Sequence, residues 1–152
     1  MDNPKHITPI LRIFVVEDDE RRLDKFKEWA QDRPQYDLRF VWARSVGKAL
    51  GILSRTNPQD FAGIMLDHDL GTNAVIAIDQ AYNGRDVVRA VLEQICPSTP
   101  VFVHSANERF APEMAATLTA SNFLVDQIPM PRLSKHRFCE WLDDLWETYE
   151  SR

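Results

Sequence analysis

The sequence has few cysteines and glycines and no long apolar run, and each shortage excludes a class of protein. Two cysteines, Cys96 and Cys139, in 152 residues form neither a metal motif nor a disulfide framework. Five glycines and nine prolines exclude collagen-like and low-complexity chains. No apolar run reaches the roughly 18 residues of a membrane helix, and the start of the chain has no apolar segment typical of a signal peptide. We therefore expect a soluble, cytoplasmic protein with reduced thiols.

Composition and net charge indicate a single domain and argue against one class of partner. A mass of 17.6 kDa with 44% hydrophobic and 27% charged residues fits one domain with a substantial core. We assign residues 1–10 to an N-terminal extension and residues 11–152 to this domain. A net charge of -5 argues against general nucleic-acid binding, because such binding depends on Lys and Arg side chains that displace counterions.

Apolar runs alternate along the chain with segments of helical spacing, and this alternation predicts the fold class. Strands are predicted at 11–16, 37–42, 61–66, 100–104 and 123–128, and helices at 20–31, 45–57 and from 84, 112 and 134 onward. Strand–helix alternation is typical of an α/β protein with a doubly wound parallel sheet and helices on both faces. Ligands of such sheets bind at the carboxyl ends of the strands.

Acidic residues follow two of these predicted strands. Residues 17–20 follow the first strand, and Asp67 and Asp69 flank His68 after the third. Carboxylates about 4 Å apart repel by roughly 4 kcal/mol at an effective dielectric constant near 20. A proton, a Lys or Arg side chain, or a divalent cation could offset this repulsion, and we favour Mg²⁺ because all the candidate ligands are oxygens. The alternative for residues 17–20 is a favourable interaction with the helix that follows them.

Three motifs resemble the receiver domain of bacterial response regulators: IFVVEDDE, IMLDHDLG and VFVHSAN. The resemblance implies a flavodoxin-like, five-stranded sheet of order 2-1-3-4-5. It also implies an Mg²⁺ site in which Asp18 and Asp19 are the acidic pair, and Asp69 stands where the family offers a backbone carbonyl. Asp67 is then a metal ligand and the phosphoryl acceptor, and the Ser105 hydroxyl contacts the phosphoryl group.

One departure separates the sequence from ordinary receivers. The family has a Lys before the Pro that follows the fifth strand, and here that position is Met130. Arg132 and Lys135 are the cations that could replace it. The string LDHDLG, the helix opening at 83–86 and the segment 104–107 together resemble the divergent subgroup called cyclic-phosphate processing receivers.

This subgroup pattern adds two imidazoles to the predicted site. His68 and His104 titrate near neutrality when unperturbed, so either could act as general acid or base in opening a phosphodiester. The alternative for His104 is a structural hydrogen bond at the end of a buried strand. Asn107 is predicted to contact a phosphate or to cap the next helix. Residues 71–83 form either a lid over the site or an extra hairpin.

These observations support three functional hypotheses. The first is an enzyme of the cyclic-phosphate processing type that acts on a phosphorylated small molecule. The second is a single-domain response regulator that a phosphodonor protein modifies on Asp67, and the third is a pseudo-receiver that binds a protein partner without chemistry. A homodimer through the last strand and helix is a further expectation, and Trp146 is the residue with which to test it.

Overall fold

Five strands and five helices alternate along the part of the chain that the computed structural model describes, residues 8–57, 59–67, 84–104, 110–129 and 132–151. In chain order, the elements are β1 (Ile10–Val16), α1 (Glu20–Ala30), β2 (Asp37–Ala43), α2 (Val46–Arg55), β3 (Gly63–Leu66), α3 (Gly84–Gln94), β4 (Val101–Val103), α4 (Phe110–Ala120), β5 (Val125–Gln127) and α5 (Lys135–Glu150).

The strands form one parallel sheet of order β2-β1-β3-β4-β5. The predicted fold class and strand order are therefore confirmed. Alternate residues of β1 enter different hydrophobic clusters: Phe14 and Val16 pack on the side of α2, α3 and α4, whereas Ile13 and Val15 pack on the side of α1 and α5. Burial on both faces explains why β1 is a continuous apolar run rather than an alternating one.

Three strands are shorter than the sequence predicted, and one of them, β4, covers Val101–Val103 rather than residues 100–104. β3 begins at Gly63 rather than at residue 61. β5 begins at Val125 because the Phe123 N–H caps the C-terminal end of α4, donating to the Leu118 carbonyl at 3.2 Å. Asn122, with φ of 69°, turns the chain between the helix and the strand, and Asn tolerates this left-handed conformation better than most residues.

The helices begin close to their predicted positions. Ser45 and Ser134 are the N-caps of α2 and α5, since each hydroxyl accepts a backbone N–H in the first turn. α4 begins at Phe110, two residues before the predicted start at Pro112, because proline is tolerated in the first turn of a helix.

Helix α5 covers the sheet through an apolar stripe, as the sequence predicted. The buried residues of the stripe are Phe138, Trp141, Leu142 and Leu145. Gly63 in β3 permits this close approach, because a Cβ atom there would collide with Leu145 and Trp141. The prediction that Tyr149 continues the stripe is wrong: its side chain is exposed and stacks on Trp146, with 6.0 Å between ring centroids.

Candidate functional site

The sheet register places three polar residues side by side at its carboxyl edge. Val16 pairs with Leu66, and Leu66 pairs with Val103, so the residues that follow them lie in one row. These residues are Glu17, Asp67 and His104, and at most 1% of each is exposed. Their N–H groups continue the ladder: that of Asp67 donates to the Val16 carbonyl, and that of His104 to the Leu66 carbonyl, both at 3.0 Å.

Glu17 and His104 form a buried pair within this row. His104 Nε2 lies 2.8 Å from Glu17 Oε2, and both side chains are fully buried. The His104 ring also packs edge-on against Phe26, with 5.2 Å between centroids. Its Nδ1 atom is buried and has no hydrogen-bond partner among the described residues. The ring is therefore held by its hydrogen bond to Glu17 and by aromatic packing.

The environment of Glu17 keeps its carboxylate ionised. Burial raises the pKa of this carboxyl, but the hydrogen bond and charge of His104, the Asp19 N–H and the Arg22 charge together bring the pKa below its ordinary value. The Asp19 N–H donates to Glu17 Oε1 at 3.1 Å. The Trp42 indole N–H donates to the Glu17 backbone carbonyl at 2.7 Å, which fixes the main chain at this position. Glu17 is thus a buried, oriented anion at neutral pH.

Arg22 connects the two buried carboxylates. Its Nη1 atom lies 3.4 Å from Glu17 Oε1 and 3.4 Å from Asp67 Oδ2, and its side chain is 31% exposed. Its Nε atom lies 3.8 Å from Asp19 Oδ2. Arg22 reaches the row because it lies one turn before Phe26 on the face of α1 that packs on the sheet. An arginine between the carboxylates was one of the three ways of offsetting their repulsion that the sequence suggested.

A group of carboxylates that could hold a metal ion lies at the same edge. Glu17, Asp18 and Asp67 each offer an oxygen, and these oxygens lie within 4.8 Å of one another. Within the described part of the chain, these three carboxylates and the Arg22 guanidinium have a net negative formal charge. Oxygen-only ligands and net negative charge fit Mg²⁺, which binds through a few carboxylates and keeps several waters. The chain's residues therefore suit this ion.

The acidic group differs from the predicted pair by one residue. Asp18 belongs to it, but Asp19 is the N-cap of α1 and accepts the Arg21 N–H at 2.9 Å. Glu17 takes the place beside Asp18 that the sequence analysis gave to Asp19. The missed signal was positional: Glu17, like Asp67 and His104, is the first residue after a buried strand, and this shared position places the three in one row.

Several predicted site residues lie outside the described part of the chain. They are His68, Asp69, Ser105, Asn107, Met130 and residues 71–83. Their proposed roles stay predictions. Of the two cations considered as replacements for the family Lys, Lys135 is paired with Asp32.

Comparison with known protein families identifies the family of this chain. Residues 13–120 match the model of the cyclic-phosphate processing receiver domain, and this match spans more than half of the chain. The chain belongs to the cyclic-phosphate processing receiver family. The match runs from Ile13, within β1, to Ala120, the end of α4, and thus includes all the carboxylates of the acidic group and His104.

Solved structures support the receiver fold. The CheY-like receiver domain protein from Methanospirillum hungatei JF-1 gives a TM-score of 0.65 at 16% identity, and the match covers 94% of this chain and 99% of that chain. The Francisella response regulator 1452 receiver domain gives 0.61 at 17% identity, with coverage of 93% and 98%. The response regulator domain of Thermotoga maritima CheB gives 0.61 at 16% identity, with coverage of 91% and 96%.

A search for related curated proteins and a search for membrane-spanning helices both gave negative results. A search of curated proteins finds no significant match for this receiver chain. Among the helices of the described ranges, none is both long enough and apolar enough to cross a membrane.

Proposed function

We propose that this receiver domain binds Mg²⁺ through Glu17, Asp18 and Asp67 and acts on a phosphorylated small molecule of the cyclic-phosphate class, with Asp67 as the nucleophile. The observation that supports the proposal is the convergence of these three carboxylates at one edge of the sheet. Family membership supports the substrate class. When bound, Mg²⁺ would neutralise charge on the transferring phosphoryl group.

The proposed reaction has two balanced steps. A carboxylate oxygen of Asp67 attacks phosphorus, the bond from phosphorus to one ring oxygen breaks, and that oxygen takes a proton from a general acid. Water then attacks the same phosphorus atom, the bond between phosphorus and Asp67 breaks, and the general acid regains its proton from the water. The net reaction opens a cyclic phosphodiester to a phosphomonoester with one water molecule.

The two imidazoles have different roles in this proposal. His104 is fully buried against Glu17, so we assign it a positioning role: it holds a metal-binding carboxylate in its ionised form. His68 follows Asp67 directly in the chain, and we assign it the proton transfer. Ser105 and Asn107 remain the proposed phosphate contacts, and Asp69 the proposed backbone ligand of the metal.

Hydrolysis of 2′,3′-cyclic nucleotides in the presence of Mg²⁺ tests this proposal. The wild type is expected to produce phosphomonoesters, and Asp67→Asn is expected to abolish the reaction. His68→Ala should lower kcat by about 10²- to 10⁴-fold, the usual contribution of a general acid. His136→Ala is the matched control, because His136 is exposed on α5. A folded wild type that releases no product in Mg²⁺ contradicts the enzymatic proposal.

A second candidate function is favoured by the solved structures, which are receiver domains of response regulators. In this alternative, Asp67 takes a phosphoryl group from a phosphodonor protein, and the modified domain is the signal. Incubation with acetyl phosphate and Mg²⁺ would then add one phosphoryl group to Asp67, with acetate as the leaving group. An unmodified folded protein contradicts this alternative. If neither activity is found and Mg²⁺ has no effect, the pseudo-receiver hypothesis remains.

Cytoplasmic location, absence of general nucleic-acid binding and homodimerisation stay sequence predictions.

A further inference from the structure

We propose that Arg22 is the residue that binds the phosphoryl group at Asp67. This inference rests on the proposed phosphoryl chemistry and adds a residue to it. The guanidinium lies 3.4 Å from Asp67 Oδ2, the side chain that would receive phosphorus, and it is partly exposed while Asp67 is buried. Arg22 therefore contacts the proposed nucleophile and is itself accessible to solvent.

The loose geometry of the Arg22 contacts leaves the guanidinium able to take another anion. Its contacts to Glu17 and Asp67, both 3.4 Å, are longer than the 2.7–2.9 Å of a strong charged hydrogen bond. Both are made by Nη1, and Nη2 makes no hydrogen bond with any described residue. An arginine bound firmly to one carboxylate would use two nitrogens in parallel.

The negative charge of the site explains why Arg22 would bind a phosphoryl group in addition to the two carboxylates. The phosphodiester formed on Asp67 in the proposed reaction brings one negative charge and two free oxygens into a site that also holds the Glu17 and Asp18 carboxylates, and the phosphomonoester of the response-regulator alternative brings roughly -1.5 to -2 and three oxygens. One divalent ion does not neutralise this total, so a protein cation beside Asp67 is needed as well. Guanidinium groups suit this task because they bind phosphate oxygens through paired N–H donors. Position 130, where the sequence analysis looked for a Lys, is Met.

The proposal predicts opposite effects of one variant on two ligands. Arg22→Ala should weaken binding of beryllofluoride, a phosphoryl mimic, by about ten- to a hundredfold at saturating Mg²⁺, because charged hydrogen bonds to the mimic are lost. The same variant should bind Mg²⁺ at least as tightly as the wild type, since a neighbouring positive charge has been removed. Trp42, bonded to the Glu17 carbonyl, offers a fluorescence signal for both titrations.

Two further variants separate charge from geometry. Arg21→Ala removes the same charge from the preceding residue of α1, whose side chain is exposed, and should leave both affinities unchanged. Arg22→Lys keeps the charge but loses the paired donors, so its affinity for beryllofluoride should fall between those of Arg22→Ala and the wild type. This lysine variant also provides a measurement if Arg22→Ala does not fold.

The outcomes distinguish this inference from the proposed function. If the wild type binds Mg²⁺ and beryllofluoride but Arg22→Ala binds beryllofluoride equally well, the role of Arg22 is wrong and the proposed function stands. If Arg22→Ala loses Mg²⁺ and beryllofluoride in parallel, Arg22 merely organises the carboxylates, and the inference is also overturned. A wild type that binds neither ligand overturns both the inference and the proposed function.

Discussion

Arg22 and Arg33 lie near opposite ends of α1, and both contact carboxylates, but the two contacts differ in geometry. Arg33 forms a parallel pair with Asp143 of α5: its Nε and Nη2 atoms lie 2.8 and 3.0 Å from the two carboxylate oxygens. Arg22 shares one nitrogen between Glu17 and Asp67 at 3.4 Å. Asp143 is 46% exposed, whereas Asp67 is 1% exposed.

This difference separates an ion pair with short, parallel contacts from an arginine with long contacts to two carboxylates. Arg33 and Asp143 form a parallel pair with short contacts, and the hydrogen bonds that Arg33 donates to Asp143 raise the pKa of Arg33. At the carboxyl edge, among the described residues, Arg22 makes long contacts to two buried carboxylates, Glu17 and Asp67. Carboxylate oxygens within 4.8 Å of one another repel, so this edge, unlike the Arg33 pair, suits an additional cation.

Removing His104 should give the largest effect on stability. His104→Ala leaves the buried Glu17 carboxylate without its closest partner, and a buried charge left in this way lowers the free energy of unfolding by about 3–5 kcal/mol. Urea unfolding measures the loss. His136→Ala is the matched control, because His136 is 81% exposed in its pair with Glu140, and exposed pairs contribute about 0–1 kcal/mol. If the two variants lose the same free energy of unfolding, the Glu17–His104 pair contributes no more to stability than an exposed pair does.

Magnesium should distinguish the two carboxylate regions. At about a hundred times its Kd, Mg²⁺ is expected to raise the free energy of unfolding of the wild type by about 2.7 kcal/mol. Asp67→Asn should abolish this gain, because a ligand of the proposed site is lost. Asp143→Asn should retain it, since its carboxylate already has a complete partner. Melting curves with EDTA and with Mg²⁺ provide the measurement, and an unchanged gain in Asp67→Asn would exclude Asp67 as a ligand.

The fold was predictable from the sequence because its signals are local. Buried parallel strands produce continuous apolar runs such as residues 11–16, and serine caps mark the starts of α2 and α5. The start of β5 was less predictable. Phe123 is apolar like a strand residue, but its N–H caps the C-terminal end of α4. Tyr149 has stripe spacing, yet its side chain is exposed and stacks on Trp146.

The candidate site was predictable only in part, because it depends on how distant elements meet. Asp18 and Asp67 could be chosen from the sequence, since acidic residues after apolar runs are visible there. The inclusion of Glu17 depends on the β1–β3–β4 register, and the inclusion of Arg22 rather than Arg21 depends on the rotation of α1 against the sheet. Leu23 and Phe26 could have indicated that rotation, because residue 22 lies one turn before residue 26.

Acid should destabilise the protein through the carboxyl edge. The pKa of Glu17 in the folded state is below its ordinary value of 4.5, so its ionised form contributes stability above that value and loses it as the pH falls through the folded-state pKa. We therefore expect the free energy of unfolding to fall below pH 4.5 more in the wild type than in Glu17→Gln, both measured by urea unfolding in EDTA. Glu140→Gln should keep the wild-type pH dependence, because Glu140 is about half exposed.

Breaking the complete pair should give the smallest effect. Arg33→Ala removes two short contacts to Asp143, but that carboxylate is 46% exposed and water replaces much of what it loses. We expect a loss of about 1 kcal/mol or less in the free energy of unfolding, and no change in the stabilisation by Mg²⁺. A loss as large as that of His104→Ala, or a changed response to Mg²⁺, would show that the two ends of α1 are coupled. The contrast between the short contacts of Arg33 and the long contacts of Arg22 would then no longer support the proposed metal site at the carboxyl edge.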